Sequence, residues 1–416
     1  MGATVMTWGI GGLTVLAVVS RPFGWPEAIW AVTGACLLVA CRLIGLADVW
    51  LGLTKATDVC LFLVGMMLLS ELARQEGLFD WIASVATAHA NGSPRRLFVL
   101  IYAFGIVVTV FLSNDATAVV LTPAVYAACR TAKVRDPLPY LLICAFTANA
   151  ASFVLPISNP ANFVIFGDGD MPTLWNWLVR FWLPSLVSVI VTFVALYWTQ
   201  RSALAADSVS FAERPTLSGN ARLTGVAILA TAALLAVASE RGYALGLTTF
   251  VIGSASVVVV LFLKRRSPFA LLSGISWSVL PLVAGLFIIV EGLDGSGLTE
   301  RLGAILADLA STSPNVAAAG IGGLAAVLSN AINNLPAGLL GAGVVHTAGA
   351  SDKIAAALIG VDLGPNLSIS GSLATMLWLA ALRREGLECS ARAFLKLGVI
   401  VMPPALFLSL LCLVLT

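Results

Sequence analysis

Charge is what this chain has least of. Asp, Glu, Lys and Arg make up 11% of its 416 residues and hydrophobic residues 59%, against about 25% charged in an ordinary soluble domain. So little charge cannot clothe a soluble surface, and a net charge of +2 is too small to suggest a nucleic-acid partner. Histidine occurs only at positions 89 and 346, and the seven cysteines (36, 41, 60, 129, 144, 389 and 412) form no C-x-x-C pair. That scarcity argues against a His/Cys metal centre. Most of the cysteines lie within or at the ends of apolar runs, as small buried hydrophobes do. A phosphate-binding Gly-Lys loop and a His-Glu-x-x-His pair are both missing, so the chain reads as no enzyme and carries no ATPase of its own. No cofactor is implied.

What the chain has in quantity is apolar length. Segments of about 17 to 25 residues recur, each enough to cross about 30 Å of hydrocarbon. The chain therefore reads as an all-α polytopic membrane protein of the cell's inner (plasma) membrane. The predicted spans are 4–20, 26–42, 57–73, a split pair 97–112 and 115–129, 137–166 and 174–200. After a polar linker over 201–220 come 221–238, 244–263, 278–292, a split pair 314–329 and 331–346, 352–380 and 391–415. Residues 78–91 and 298–311 are more mixed and are expected to lie along the surface. The first apolar segment follows no basic residue and precedes no convincing cleavage site, so it reads as a span rather than a signal peptide.

The second half repeats the first. At an offset of 220, Gly65 meets Gly285, Glu71 meets Glu291, and Gly77-Leu78 meets Gly297-Leu298. At 216, Leu112-Ser113-Asn114 meets Leu328-Ser329-Asn330, and at 212, Leu155, Ile157 and Ser158 meet Leu367, Ile369 and Ser370. Three matches in the same order with slowly drifting offsets indicate an internal duplication. Residues 1–200 form the first repeat, with a hairpin at 97–129 and a broken helix at 137–166. Residues 221–416 form the second, with its hairpin at 314–346 and broken helix at 352–380. Each repeat has five spans and one re-entrant hairpin, about ten spans in all. An odd number of spans per repeat makes the two inverted. One placement of the loops leaves only Arg42, Lys55, Arg180, Arg241, Arg301 and Lys353, of 23 Lys and Arg residues, outside the cytoplasmic stretches 21–25, 74–96, 130–136, 201–222, 264–266 and 383–396. That bias follows the positive-inside rule and puts both termini in the periplasm.

Polar residues interrupt the apolar pattern at four points. An ionised Asp at the bilayer centre costs about 2.5–3.5 kcal/mol on insertion scales, so Ser113-Asn114-Asp115 within an apolar run needs a reason. The plain explanation is a helix N-cap; the alternative, compatible with it, is a binding site at the tip of a hairpin. The second tip is Ser329-Asn330 through Asn333-Asn334. Breaks in long helices fall at Pro156-Ile-Ser158-Asn159-Pro160-Ala-Asn162 and from Asp362 through Pro365 to Ser372. Pro and Gly free backbone groups in these breaks, and irregular backbone at membrane depth is tolerated only in protein or beside a cavity. Inverted repeats would bring all four to one level, forming a pocket with helix N-termini pointing in. The candidate binding residues are Ser113, Asn114, Asp115, Thr117, Ser158, Asn159, Asn330, Asn333, Asn334, Ser370, Gly371 and Ser372. Asp115 and Asp362 are the only carboxylates in the interruptions and the candidate proton carriers, although Asp362 has a possible ion-pair partner in Lys353. At an offset of 216 Asp115 corresponds to Ala331, so the acid belongs to one half alone. Glu71 and Glu291, near span ends, are assigned a structural or interfacial role, and Asp168 and Asp170 a solvated turn.

The run Gly360-Val-Asp362-Leu-Gly-Pro365-Asn-Leu-Ser-Ile-Ser-Gly371-Ser-Leu-Ala-Thr-Met-Leu-Trp378 resembles the D-L-G-P…G-S-L-A-T-x-L-W signature of ArsB-type arsenite efflux permeases. The Ser113-Asn114-Asp115 tip, the Asn333-Asn334-Leu-Pro336 segment and the Ile157-Ser158-Asn159 break resemble family motifs too. The resemblance spans both halves. It implies the ion transporter superfamily, inverted-repeat carriers with hairpins entering from both sides. Many relatives carry Ser-Asn-Thr at tip and break for sodium and carboxylates; here the tips read Ser-Asn-Asp and Ser-Asn-Ala, which puts a sodium site of that type in doubt.

The family's substrates are arsenite and antimonite, uncharged trihydroxides near neutral pH. Ser, Asn and backbone groups suit such a solute, and no basic residue sits in the four interruptions to suit a dicarboxylate or phosphate. The expected function is therefore secondary active export of arsenite and antimonite coupled to proton influx, giving arsenic resistance. The alternative is a sodium- or proton-coupled cation antiporter or anion symporter of the same superfamily. Expected partners are the bilayer, protons and, as for some relatives, a soluble arsenite-stimulated ATPase.

Overall fold

A computed structural model of the protein describes residues 2–166, 171–210 and 216–415, and no strand occurs among them. Asp168 and Asp170, and Glu213, Arg214 and Pro215 of the linker, lie outside the described residues. The first half holds α1 (Gly2–Ser20), α2 (Glu27–Ala40), α3 (Leu46–Gln75), α4 (Leu78–Ala90), α5 (Pro94–Leu112), α6 (residues 114–131), α7 (Leu138–Ala150), α8 (Pro160–Phe166) and α9 (Leu174–Ala206). The second holds α10 (Gly219–Glu240), α11 (Leu245–Lys264), α12 (Phe269–Gly274), α13 (Val279–Gly295), α14 (Leu298–Thr312), α15 (Pro314–Ile332), α16 (Asn334–Thr347), α17 (Ile354–Leu363), α18 (Leu373–Arg384) and α19 (Ala391–Leu415).

The fold is that of an all-α polytopic membrane protein, integral to the inner membrane. Among the described residues, seven helices, α3, α5, α9, α10, α11, α15 and α19, are each long and apolar enough to cross a bilayer, or eight spans if α13 and α14 form one broken span bent by 69°. The expectation of about ten also counted shorter apolar helices such as α2 and α7. Leu13, Leu16, Leu229, Val258 and Phe262 stand more than half exposed on α1, α10 and α11, where water would penalise them and lipid does not. Inside, Trp177 and Trp378 are fully buried. Their indole N–H groups donate to the carbonyls of Phe153 at 3.1 Å and Leu141 at 2.8 Å, respectively, as buried Trp requires.

The same local devices build both halves. Gly77 and Gly297 open α4 and α14 with φ of 73° and 82°, a conformation glycine adopts without strain. Ser93-Pro94 and Ser313-Pro314 start α5 and α15, proline at the first helical position losing only an N–H that has no partner there. Gly65 and Gly285 serve closer packing. A Cβ on Gly65 would lie 2.5 Å from the Thr249 carbonyl oxygen of α11, and one on Gly285 2.8 Å from the Ala31 carbonyl carbon of α2. The two halves are thus interleaved: the second helix of each crosses the third long helix of the other at a repeat-related glycine.

Candidate functional site

The two hairpins turn at single residues held in an unusual backbone conformation. Ser113 sits at φ 111°, ψ 161° and Asn333 at φ 74°, ψ 155°, a region almost reserved for glycine that costs of order 1–3 kcal/mol and clusters at functional sites. The positions are 220 apart, and Asn114 and Asn334 begin the return limbs. This corrects the 216 register. Ser329 and Asn330 do not form the second tip but lie within the last turns of α15. Asp115 corresponds to Leu335, not Ala331, so the acid still belongs to one half. The return limbs also differ, because α6 widens into a π-helical stretch at Thr117–Leu121, a feature frequent at functional sites. There the Thr117 hydroxyl lies 2.8 Å from that of Thr109 on the opposite limb.

Hydrogen bonds tie the two breaks to each other and to the ends of α5 and α15. The Ser158 hydroxyl donates to the Val110 carbonyl near the first tip at 3.2 Å. Asn330 donates to the Gly364 carbonyl at 2.8 Å, while its side-chain oxygen accepts from Ser368 at 2.6 Å and its carbonyl from Ser370 at 3.2 Å. Gly371 packs here because a Cβ would lie 2.8 Å from Asn330 Oδ1. The two breaks join each other directly. Asn149, at the end of α7, donates to Asn366 and to Thr375, each at 3.1 Å, and accepts from Ser372 at 3.1 Å. Asn159 donates to Asp362 Oδ1 at 2.7 Å. Lys353 pairs instead with Asp352 at 2.5 Å.

Several buried oxygens at the tips and breaks have no protein partner: Oδ1 of Asn114, Asn334 and Asn162, and Oδ2 of Asp362. All are acceptors, and leaving a buried acceptor unpaired costs about 1–3 kcal/mol. Two are the repeat-related first residues of the return limbs. Asp115 lines a cavity of about 70 Å³ with Ser113, Glu71, Ser70 and Ser276. Ser368 and Ser370 line a wider opening of about 930 Å³, rimmed by Arg21, Arg383 and Arg392. Basic groups thus stand at the approach, whereas the network itself is built of amides, hydroxyls and a carboxyl.

The sequence profile of the CitMHS citrate-transporter family matches residues 14–382. The chain belongs to this family. The CitMHS-family chain is 29% identical over 415 residues to the arsenical pump membrane protein of Yersinia enterocolitica, covering 96% of this chain and 95% of that one. It is 28% identical over 417 residues to the arsenical pump membrane protein of Escherichia coli (strain K12), with the same coverage. The putative arsenical pump membrane protein of Bacillus subtilis (strain 168) is 26% identical over 431 residues, spanning 96% of this chain and 97% of its own. Among solved structures, the Alcanivorax borkumensis YdaH transporter matches with a TM-score of 0.53 over 88% of this chain and 86% of that one, at 16% identity; this is a likeness of fold. This member of the CitMHS family is a membrane transporter.

Within this transporter, Ser158, Asn159, Asn330, Ser370, Gly371, Ser372 and Asp362 meet in the network. Ser113 and Asp115 face the small cavity beside it, and Asn333 caps α16 by accepting from the Leu335 N–H at 3.4 Å. Sequence reasoning missed Asn149 and Thr375, and named Asn162 and Asn366 within breaks without assigning them. Asn149 did leave a signal, an amide inside the apolar run Leu141-Leu-Ile-Cys-Ala-Phe-Thr-Ala-Asn149. Asn162 donates to the carbonyls of Ser152, Leu155 and Pro156 at 3.0, 3.3 and 3.1 Å, holding the first break in shape.

Proposed function

We propose that this transporter is a secondary carrier exporting arsenite and antimonite from the cytoplasm as neutral trihydroxides, driven by inward protons, so that it confers arsenic resistance. The reading rests above all on the unpaired oxygens of Asn114, Asn334 and Asp362. A trihydroxide presents three O–H donors, and these buried groups offer acceptors with no basic side chain beside them. The arsenical-pump relatives, alike over nearly their whole length, support the same substrate class. A citrate or other carboxylate anion would instead call for Arg or Lys in the network. Such an anion symporter, like a sodium-coupled carrier, is the competing reading.

In this scheme the two halves are inverted repeats, the hairpins enter from opposite faces and the termini lie in the periplasm. Asp115 or Asp362 takes up the coupling proton. A neutral cargo gains nothing from the membrane potential, but each exchanged proton contributes about 2.3 kcal/mol per 100 mV. Alternation follows from movement of the tips and breaks against the surrounding helices. Purified protein in liposomes should accumulate arsenite only when a pH gradient is imposed. Asp115→Asn should still bind arsenite but lose the pH-driven component; normal pH-driven uptake by that variant removes Asp115 from the mechanism. Sodium-driven uptake of a carboxylate, with no response to arsenite, would overturn the substrate assignment.

A further inference from the structure

Two cavities lie against α3, on either side of one pair of rings. The first, about 240 Å³, is lined by Lys55, Val59, Phe287, Val290, Glu291 and Leu339, among others. The second is the 70 Å³ cavity of Asp115, whose walls include Ile275, Val279, Met67, Ser70, Glu71 and Val119. Each residue of the first set stands 220 positions from its counterpart in the second. The cavities are therefore equivalent by the internal duplication, made by the same walls in opposite halves. Duplication of an inverted repeat turns one vestibule into two that open to opposite faces.

Between them stand Phe62 and Phe163. Phe62 borders the Asp115 cavity and Phe163 the larger one. Their ring centroids are 4.1 Å apart, and both side chains are buried. Val59 and Phe62 are neighbours on one face of α3, as Pro160 and Phe163 are on α8, each pair dividing its two residues between the cavities. Phe163 also follows Asn159, the partner of Asp362, by one helical turn. The duplication does not repeat the plug, because the position 220 beyond Phe62 is Leu282 and that 212 beyond Phe163 is Thr375.

The groups facing each cavity give the passage its chemistry. In the larger one α3 supplies Lys55 and Asp58, α13 supplies Glu291 and Asp294, and α16 supplies His346. Lys55 and Glu291 pair at 2.6 Å. In the smaller one α3 supplies Glu71, paired with Arg74 at 2.5 Å, and the first hairpin supplies Asp115.

We propose that the two cavities are the two halves of one proton passage, closed in this conformation by the Phe62–Phe163 pair. The proposal rests on the proton-coupled reading above and assigns Glu291 and Lys55 to the periplasmic mouth and Glu71 to the cytoplasmic one. A proton taken up from water at the carboxylates of the larger cavity is released to water on the opposite face after the rings part. An apolar constriction of this kind excludes water until it opens.

The test uses Leu339→Cys and Val119→Cys, repeat-related points of the two cavities, in full-length protein with its native cysteines replaced. With a membrane-impermeant maleimide, Leu339→Cys should react only from the periplasmic face and Val119→Cys only from the cytoplasmic face. Adding Phe163→Ala should abolish this sidedness, and liposomes carrying Phe163→Ala should leak protons with no arsenite present. Phe163→Leu keeps apolar bulk and should remain tight. One-sided labelling and proton tightness in both Phe62→Ala and Phe163→Ala would overturn the proposal, as would labelling of both cysteines from one face without either substitution, a readout that holds even where the Ala variants fail to fold. Labelling reads water access and needs no cargo. Arsenite uptake indifferent to the pH gradient would instead sink the proton coupling of the proposed function, and the labelling pattern would still decide the passage.

Discussion

Asp362 is wholly buried, and only one of its oxygens has a protein partner. Asn159 supplies that bond, to Oδ1, so removing Asn159 takes a donor away from a buried carboxyl group. Asn159→Ala should destabilise the protein by about 1–3 kcal/mol, lowering its unfolding midpoint in detergent. Asp362→Asn removes the charge, retains an acceptor for Asn159 and should cost less. Equal losses in the two variants would refute this account of the pair. Asp362 was legible in the sequence because a carboxylate inside an apolar run needs a reason. Its partner was not: 203 residues separate Asn159 from Asp362, and local pattern carries no information about that distance.

At the scale of elements, the interruptions were visible as polar groups, Pro and Gly within apolar segments, and the helices turn or break at each, the second tip at Asn333-Asn334 rather than Ser329-Asn330. Register was harder. The Ser-Asn match at an offset of 216 pairs side chains, whereas the backbone turns at Ser113 and Asn333, 220 apart. Chain geometry settled it, since α15 runs past Ser329 and Asn330 before turning. Ser113→Gly relieves the positive φ and should raise stability by up to about 1 kcal/mol. If the strain serves transport, arsenite uptake by that variant should fall; higher stability with unchanged uptake would make the strain incidental. Gly65→Ala and Gly285→Ala force a methyl group into helix crossings, so each should destabilise by about 1–3 kcal/mol, the usual range for overpacking. Because the crossings are repeat-related, the two losses should be similar. A neutral result for either, by thermal unfolding in detergent, would mean that the crossing relaxes freely.

At the scale of the molecule, the arrangement of charge predicts orientation. Epitope tags fused at both ends should be accessible to antibody from the periplasmic face of intact spheroplasts, and not from the interior face of inverted vesicles; a tag accessible from the cytoplasmic side would reverse the proposed topology. Composition determined the membrane class because a chain this poor in charge has only a bilayer to dissolve in. Matching caps, prolines and glycines at Gly77 and Gly297 and at Ser93-Pro94 and Ser313-Pro314 made the succession of elements legible in both halves. Tertiary structure alone decided that the halves interleave, that Asn149 and Asn159 reach across to the second break, and that Phe62 meets Phe163 between two cavities. Each of these is a contact between residues about one hundred or more positions apart. Hydrophobic period and turn chemistry act over a few residues, and such contacts exist only once the helices have packed.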